Sequence, residues 1–135
     1  MIKLDTGNFK LELSLNIFRN DLKYPLNTMI GVYVYSDEFS ANTRMDAGID
    51  ELYVFANDLL ELYKTLSGEA RLEEPYGMHD YIEFKATKTG HIAVKGKLTA
   101  GGRIGNMHEI SFENEFDQTY LGEFTNGLLD VCGNV

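Results

Sequence analysis

Cysteine, proline and basic residues are all scarce in this sequence, and each shortage excludes something. A single cysteine among 135 residues leaves no internal disulfide to be made, which fits a reducing cytoplasm. That residue, Cys132, lies on or beside the apolar stripe of the last expected helix and reads as a small buried hydrophobe rather than a nucleophile. Two prolines, with 44% hydrophobic and 12% aromatic residues, argue against a disordered chain. No apolar run approaches the roughly 18 to 20 residues that cross a bilayer. The opening residues, polar by Asp5, lack the apolar core of a secretory signal. Only 12 basic residues face 21 acidic ones, for a net charge of −9. Such a surface repels nucleic acid and anionic lipid and attracts basic proteins. The length suits one domain spanning residues 1–135.

Periodicity supplies the elements. From His108 to Val131 a strand, a polar break and a helix follow in direct succession. Ile110, Phe112 and Phe116 alternate with Glu109, Ser111, Glu113 and Glu115. Leu121, Phe124, Leu128 and Val131 then repeat at helical spacing, with Asp117 or Thr119 as cap. Phe9–Ile17 is the clearest strand, with Phe9, Leu11, Leu13, Leu15 and Ile17 inward. Met29–Ser36 is the second, placing Ile30, Val32 and Val34 on one face and Gly31, Tyr33 and Tyr35 on the other. Asp37–Gly48 is polar without a period and reads as loop. A helix follows from about Asp50 to Ser67 on Leu52, Phe55, Leu59, Leu62 and Leu66. Asp50 or Asp46 would cap its start, and Gly68 its end. A short strand around Ala70 and Leu72 leads to a hairpin of Tyr81–Ala86 and His91–Leu98, then a glycine-rich loop over residues 100–106.

The expected architecture is α+β, a two-layer sandwich in the order ββαββββα. About six antiparallel strands form one sheet, and two helices cover one face of it. No internal repeat is evident. The open face would carry Lys10, Glu12, Tyr33, Tyr35, Glu83, Lys85, Lys95, Lys97, Glu113 and Glu115.

Catalytic and metal-binding patterns are missing. His79, His91 and His108 fall in turns or at strand starts, without a second ligand at helical spacing. Gly101, Gly102 and Gly105 connect two strands instead of leading into a helix, so they do not make a phosphate loop. No Ser, Cys or Thr sits in a nucleophile elbow. No cofactor or metal is expected, and nothing argues for an enzyme. The candidate contacts for a protein partner are the tyrosines Tyr33 and Tyr35 and the carboxylates Glu73, Glu74, Glu113 and Glu115. The tyrosines have an alternative role, packing along their own sheet face or against a second copy.

FKLELSLNI, the helix ELYVFANDLLELYKTLSGEARL, and GHIAVKGKL followed by ISFENEFDQTYLGEFTNGLLDVC together resemble the WapI-like immunity proteins over about three quarters of the chain. The DQTYL junction, Asp117 to Leu121, is the most specific piece. The chain departs from the family between the second strand and the first helix, where tryptophans are expected and none is present. The resemblance implies a small cytoplasmic α+β protein that binds and neutralises a cognate toxin domain, without catalytic residues of its own. The net charge suits a basic toxin domain as partner. The competing reading is a structural or adaptor domain, dimeric through the open sheet face. A small-ligand binder with a pocket between sheet and helices is a third.

Overall fold

Phe9, Leu11 and Leu13 turn inward from one strand exactly as their alternation requires, and both neighbouring strands pair with it in antiparallel register. The computed structural model describes residues 1–101 and 105–135. It contains β1 (Ile2–Asp5), β2 (Phe9–Ile17), β3 (Thr28–Ser36), β4 (Phe39–Ala47), α1 (Ile49–Thr65), β5 (Glu69–Glu73), β6 (Tyr81–Ala86), β7 (His91–Gly101), β8 (Met107–Asp117) and α2 (Leu121–Gly133). The α+β class holds, but the single sheet does not. Eight strands form two four-stranded antiparallel meanders, β1-β2-β3-β4 and β5-β6-β7-β8. The order is ββββαββββα, so the chain runs the same course twice. Leu52, Phe55 and Leu59 of α1 recur at the same spacing as Leu121, Phe124 and Leu128 of α2, all of them buried.

Two strands escaped the sequence reading. β1 is only four residues long, although Ile2 and Leu4 alternate inward. β4 occupies what looked like loop because its inward positions are Ala41, Thr43, Met45 and Ala47, with one large apolar side chain among them. Small residues belong there because β4 lies against β7, and the Thr43 hydroxyl donates to the Thr99 carbonyl at 2.8 Å. The reciprocal contact joins β3 to β8, where the Ser36 hydroxyl donates to the Glu113 carbonyl at 3.4 Å and accepts from Asn114 Nδ2 at 3.0 Å.

The inner faces of the two sheets meet through aromatic rings. Phe9 stacks on Phe112 and Phe116 with centroids 6.1 and 6.2 Å apart. Phe84 touches Phe55 of α1 and Phe124 of α2. The helices do not cover one face of one sheet. They pack against each other, with α1 on β5 and α2 on β1, so each helix covers the first strand of the other half. The two polar sheet faces consequently point in opposite directions, and there is no single open face.

The helix ends also differ from expectation. Gly48, not an aspartate, precedes α1 and has no side chain to cap with. Asn27 substitutes from the β2–β3 loop. Its Oδ1 accepts the Ile49 N–H at 2.8 Å, and its Nδ2 donates to the carbonyls of Leu22 and Tyr24, both at 3.0 Å. A side chain at position 48 would run into the Pro25 carbonyl, since a Cβ built there lies 2.6 Å from that oxygen. At the other end the helix closes on Leu66 in the left-handed conformation (φ 53°), its N–H returning to the Leu62 carbonyl, and Gly68 takes the positive φ expected of it (89°) two residues later. Asp117 caps, as expected, the turn that leads into α2 (Gln118–Tyr120), accepting from the Thr119 N–H at 2.9 Å, while α2 itself follows Tyr120 without a side-chain cap. Within the glycine-rich segment, residues 102–104 lie outside the described residues, while Gly101 and Met107 pair across the β7–β8 hairpin.

Candidate partner-binding surfaces

Strand alternation and register together decide what the outer face of β5–β8 presents. Arg71 stands opposite Glu83, Glu83 opposite Lys95, and Lys95 opposite Glu113, so charge alternates across four strands. Arg71 Nη1 lies 3.5 Å from Glu83 Oε1, and Lys95 Nζ 3.4 Å from Glu83 Oε2. Arg71 also holds Glu73 at 2.6 Å and lies with its guanidinium 3.8 Å from the Tyr81 ring centroid. The hydrogen bonds it donates to Glu73 hold the Arg71 guanidinium above its usual pKa, with burial working against them. The exposed Arg71–Glu73 pair stabilises by about 1 kcal/mol at most. Glu115, on the same edge strand as Glu113, has His91 Nδ1 3.5 Å away.

Tyr33 and Tyr35 lie on the outer face of the other sheet, half-buried. Their cross-strand neighbours are Glu12 and Asn42 for Tyr33, and Lys10 and Ser40 for Tyr35. Lys10 Nζ sits 5.6 Å from the Tyr35 ring centroid. The six candidate residues therefore do not form one surface. Glu113 and Glu115 share the β8 margin, Glu73 lies across that sheet on β5, and the tyrosines face the opposite way.

Glu74 is different again. Its Oε2 accepts the Asp46 N–H at 3.1 Å, tying the β5–β6 loop to β4. Burial pushes its carboxyl above the usual value, that bond opposes the shift, and the nearby Asp80 and Asp46 add to it. Asp80 is itself buried, accepting the Thr99 N–H at 3.0 Å and hydroxyl at 2.8 Å. These bonds occupy the backbone of β7 beyond the end of β6. Among the described residues, no group of three or more His, Cys, Asp or Glu is placed to hold a metal ion.

Sequence reading missed the exposed apolar residues. Phe39 is 72% exposed, Tyr76 61% and Val54 60%. Phe39 could have been flagged only by recognising β4. Val54 sits on the polar side of α1, where its position relative to the Leu52–Leu59 stripe was already visible. The helices carry six carboxylates against one lysine, Lys64, so much of the negative charge lies on the helical side.

The model of the immunity protein WapI-like family matches residues 1–134, both ββββα halves included. The chain belongs to the WapI-like immunity protein family. No curated protein matches it. In this WapI-like chain the DQTYL junction works structurally. Asp117 caps the turn after β8, Thr119 supplies the N–H, and Leu121 enters the core fully buried. Tyr120 stays exposed at the start of α2.

Proposed function

We propose that this WapI-like chain is an immunity protein that binds and neutralises a cognate toxin domain in the cytoplasm by occupying it, without turning anything over. The observation that carries this reading is the family match along residues 1–134. Charge supports it: a net −9 favours association with a basic toxin domain. Among the described residues, no helix is long and apolar enough to cross a membrane.

The contact surface we favour is the β8 margin with Glu113 and Glu115. Glu73 and Glu74 are engaged within the chain by Arg71 and by the Asp46 N–H. Tyr33 and Tyr35 belong to a separate face and would serve a second contact, with the toxin or with another copy. The test begins with the DNA flanking the gene, which names the toxin domain encoded beside it. Cells expressing that domain should survive when this chain is co-expressed, and purified toxin activity should fall to zero at equimolar ratio. Equal killing with and without the chain would overturn the reading.

A further inference from the structure

Four strands stand at sheet edges, and their situations differ. β1 and β5 lie against α2 and α1. Helix cover is one of the ways proteins protect an edge from pairing with another chain. On β4 the Asp46 N–H is taken by Glu74, and Arg44 projects from the middle of the strand. β8 is the remaining edge.

The direction of the β8 backbone groups follows from hydrogen bonds on β7. The Thr99 N–H donates to Asp80, and the His91 carbonyl accepts from the Thr87 N–H, so both residues turn their backbone groups toward the β6 side. Their register partners are Glu109 and Asp117. Antiparallel alternation then points the N–H and C=O groups of Glu109, Ser111, Glu113 and Glu115 away from β7. The Glu113 carbonyl is taken by Ser36, and the Glu115 N–H by Asn114 Oδ1 at 2.8 Å. Among the described residues, both groups of Glu109, both groups of Ser111 and the Glu113 N–H have no partner. They border a groove of about 390 Å³ that contains the exposed Phe39 ring and is lined also by Ile110 and Phe112. Asp37, Glu109 and Glu113 line it too, and among the described residues no lysine or arginine does.

We propose that the open edge of β8, from Glu109 to Glu113, takes an extended strand of a basic protein partner. A row of alternating backbone donors and acceptors is matched by another extended peptide, which adds to the sheet as a fifth strand. Phe39 supplies an apolar anchor beside the row. Glu109 and Glu113 flank Ser111 on the outer face and pair across the strands with lysine or arginine four residues apart on the added strand. A second copy does not fit this edge. Antiparallel pairing about Ser111 would set Glu109 of one copy against Glu113 of the other twice over, and like charges directly opposite are destabilising. The proposal rests on the immunity reading for the identity of its partner, the toxin domain.

The test uses the full chain and a catalytically inactivated form of the toxin domain encoded beside it. Hydrogen exchange in the complex should show new protection at the amides of Glu109, Ser111 and Glu113. Ser111→Pro removes an outward N–H that takes no part in the β7–β8 ladder, so the variant should fold while binding about 100-fold more weakly. The exposed double change Glu109→Lys with Glu113→Lys should slow association and flatten its salt dependence. Should Ser111→Pro fail to fold, wild-type amide protection and the lysine variant decide. If wild-type chain binds no toxin, the immunity reading fails and this proposal falls with it. Toxin binding with those amides unprotected and both variants at wild-type affinity would overturn the edge alone. A dimer of this chain protecting the same amides would assign the edge to a second copy and also overturn it.

Discussion

At the scale of single residues, Asn27 does the most with one side chain. It is 4% exposed, and its amide bonds the start of α1 to the loop after β2. The helix begins at a glycine because Pro25 leaves no room for a side chain, so the missing cap has to come from elsewhere in the fold. Replacing Asn27 with Ala leaves the buried Ile49 N–H and two partly buried carbonyls without their partner and should cost about 3 kcal/mol, measured by urea unfolding. Cys132 makes the opposite case, a residue whose chemistry burial suppresses. Desolvation pushes its thiol to about 11. Alkylation at pH 8 should run about 100-fold slower in the folded protein than in urea, because the thiolate is the reactive form. A fast folded-state reaction would show the last turn of α2 to be frayed.

At the scale of elements, the junction between β8 and α2 sets a pH dependence. The Thr119 N–H, with its hydroxyl adding to the effect, holds the Asp117 carboxyl below its usual value. A carboxylate with a lowered folded pKa lends stability that is complete above the unfolded value of about 3.9 and is lost as pH falls through the folded value. Asp117→Ala should therefore lower Tm at pH 7, and its difference from wild type should shrink below about pH 3. Asp117→Asn keeps an acceptor and should lose less at neutral pH. Equal losses for both variants at every pH would show that the carboxylate charge contributes nothing.

For the whole molecule, the repeated ββββα course has a consequence for folding. Each helix covers the first strand of the other half, and Phe55 of α1 packs on Phe84 of β6. Neither half can bury its own apolar stripe alone. Residues 1–67 and 68–135 expressed separately should each lack the dispersed amide spectrum of a folded protein and recover it on mixing. A half that folds by itself would show that the helices need no exchange.

The sequence by itself determined the strands and helices whose buried positions are large and apolar. Phe9–Ile17, Tyr81–Ala86 and both helical stripes appear in the structure close to where their periods put them. Asp117 was also legible as a cap, because a cap bonds within a few residues of itself. β4 was not legible, since its inward side must be small or polar where it crosses β7, and that requirement belongs to its neighbour. The same reason hid the cap from Asn27 and the division into two sheets. Alternation tells which side of a strand is apolar but not which apolar side it meets. The candidate contacts were visible as outward-facing tyrosines and carboxylates. Only tertiary structure decided that they point two ways, that Arg71 and Asp46 already engage two of them, and that an unpaired backbone edge lies beside Glu113.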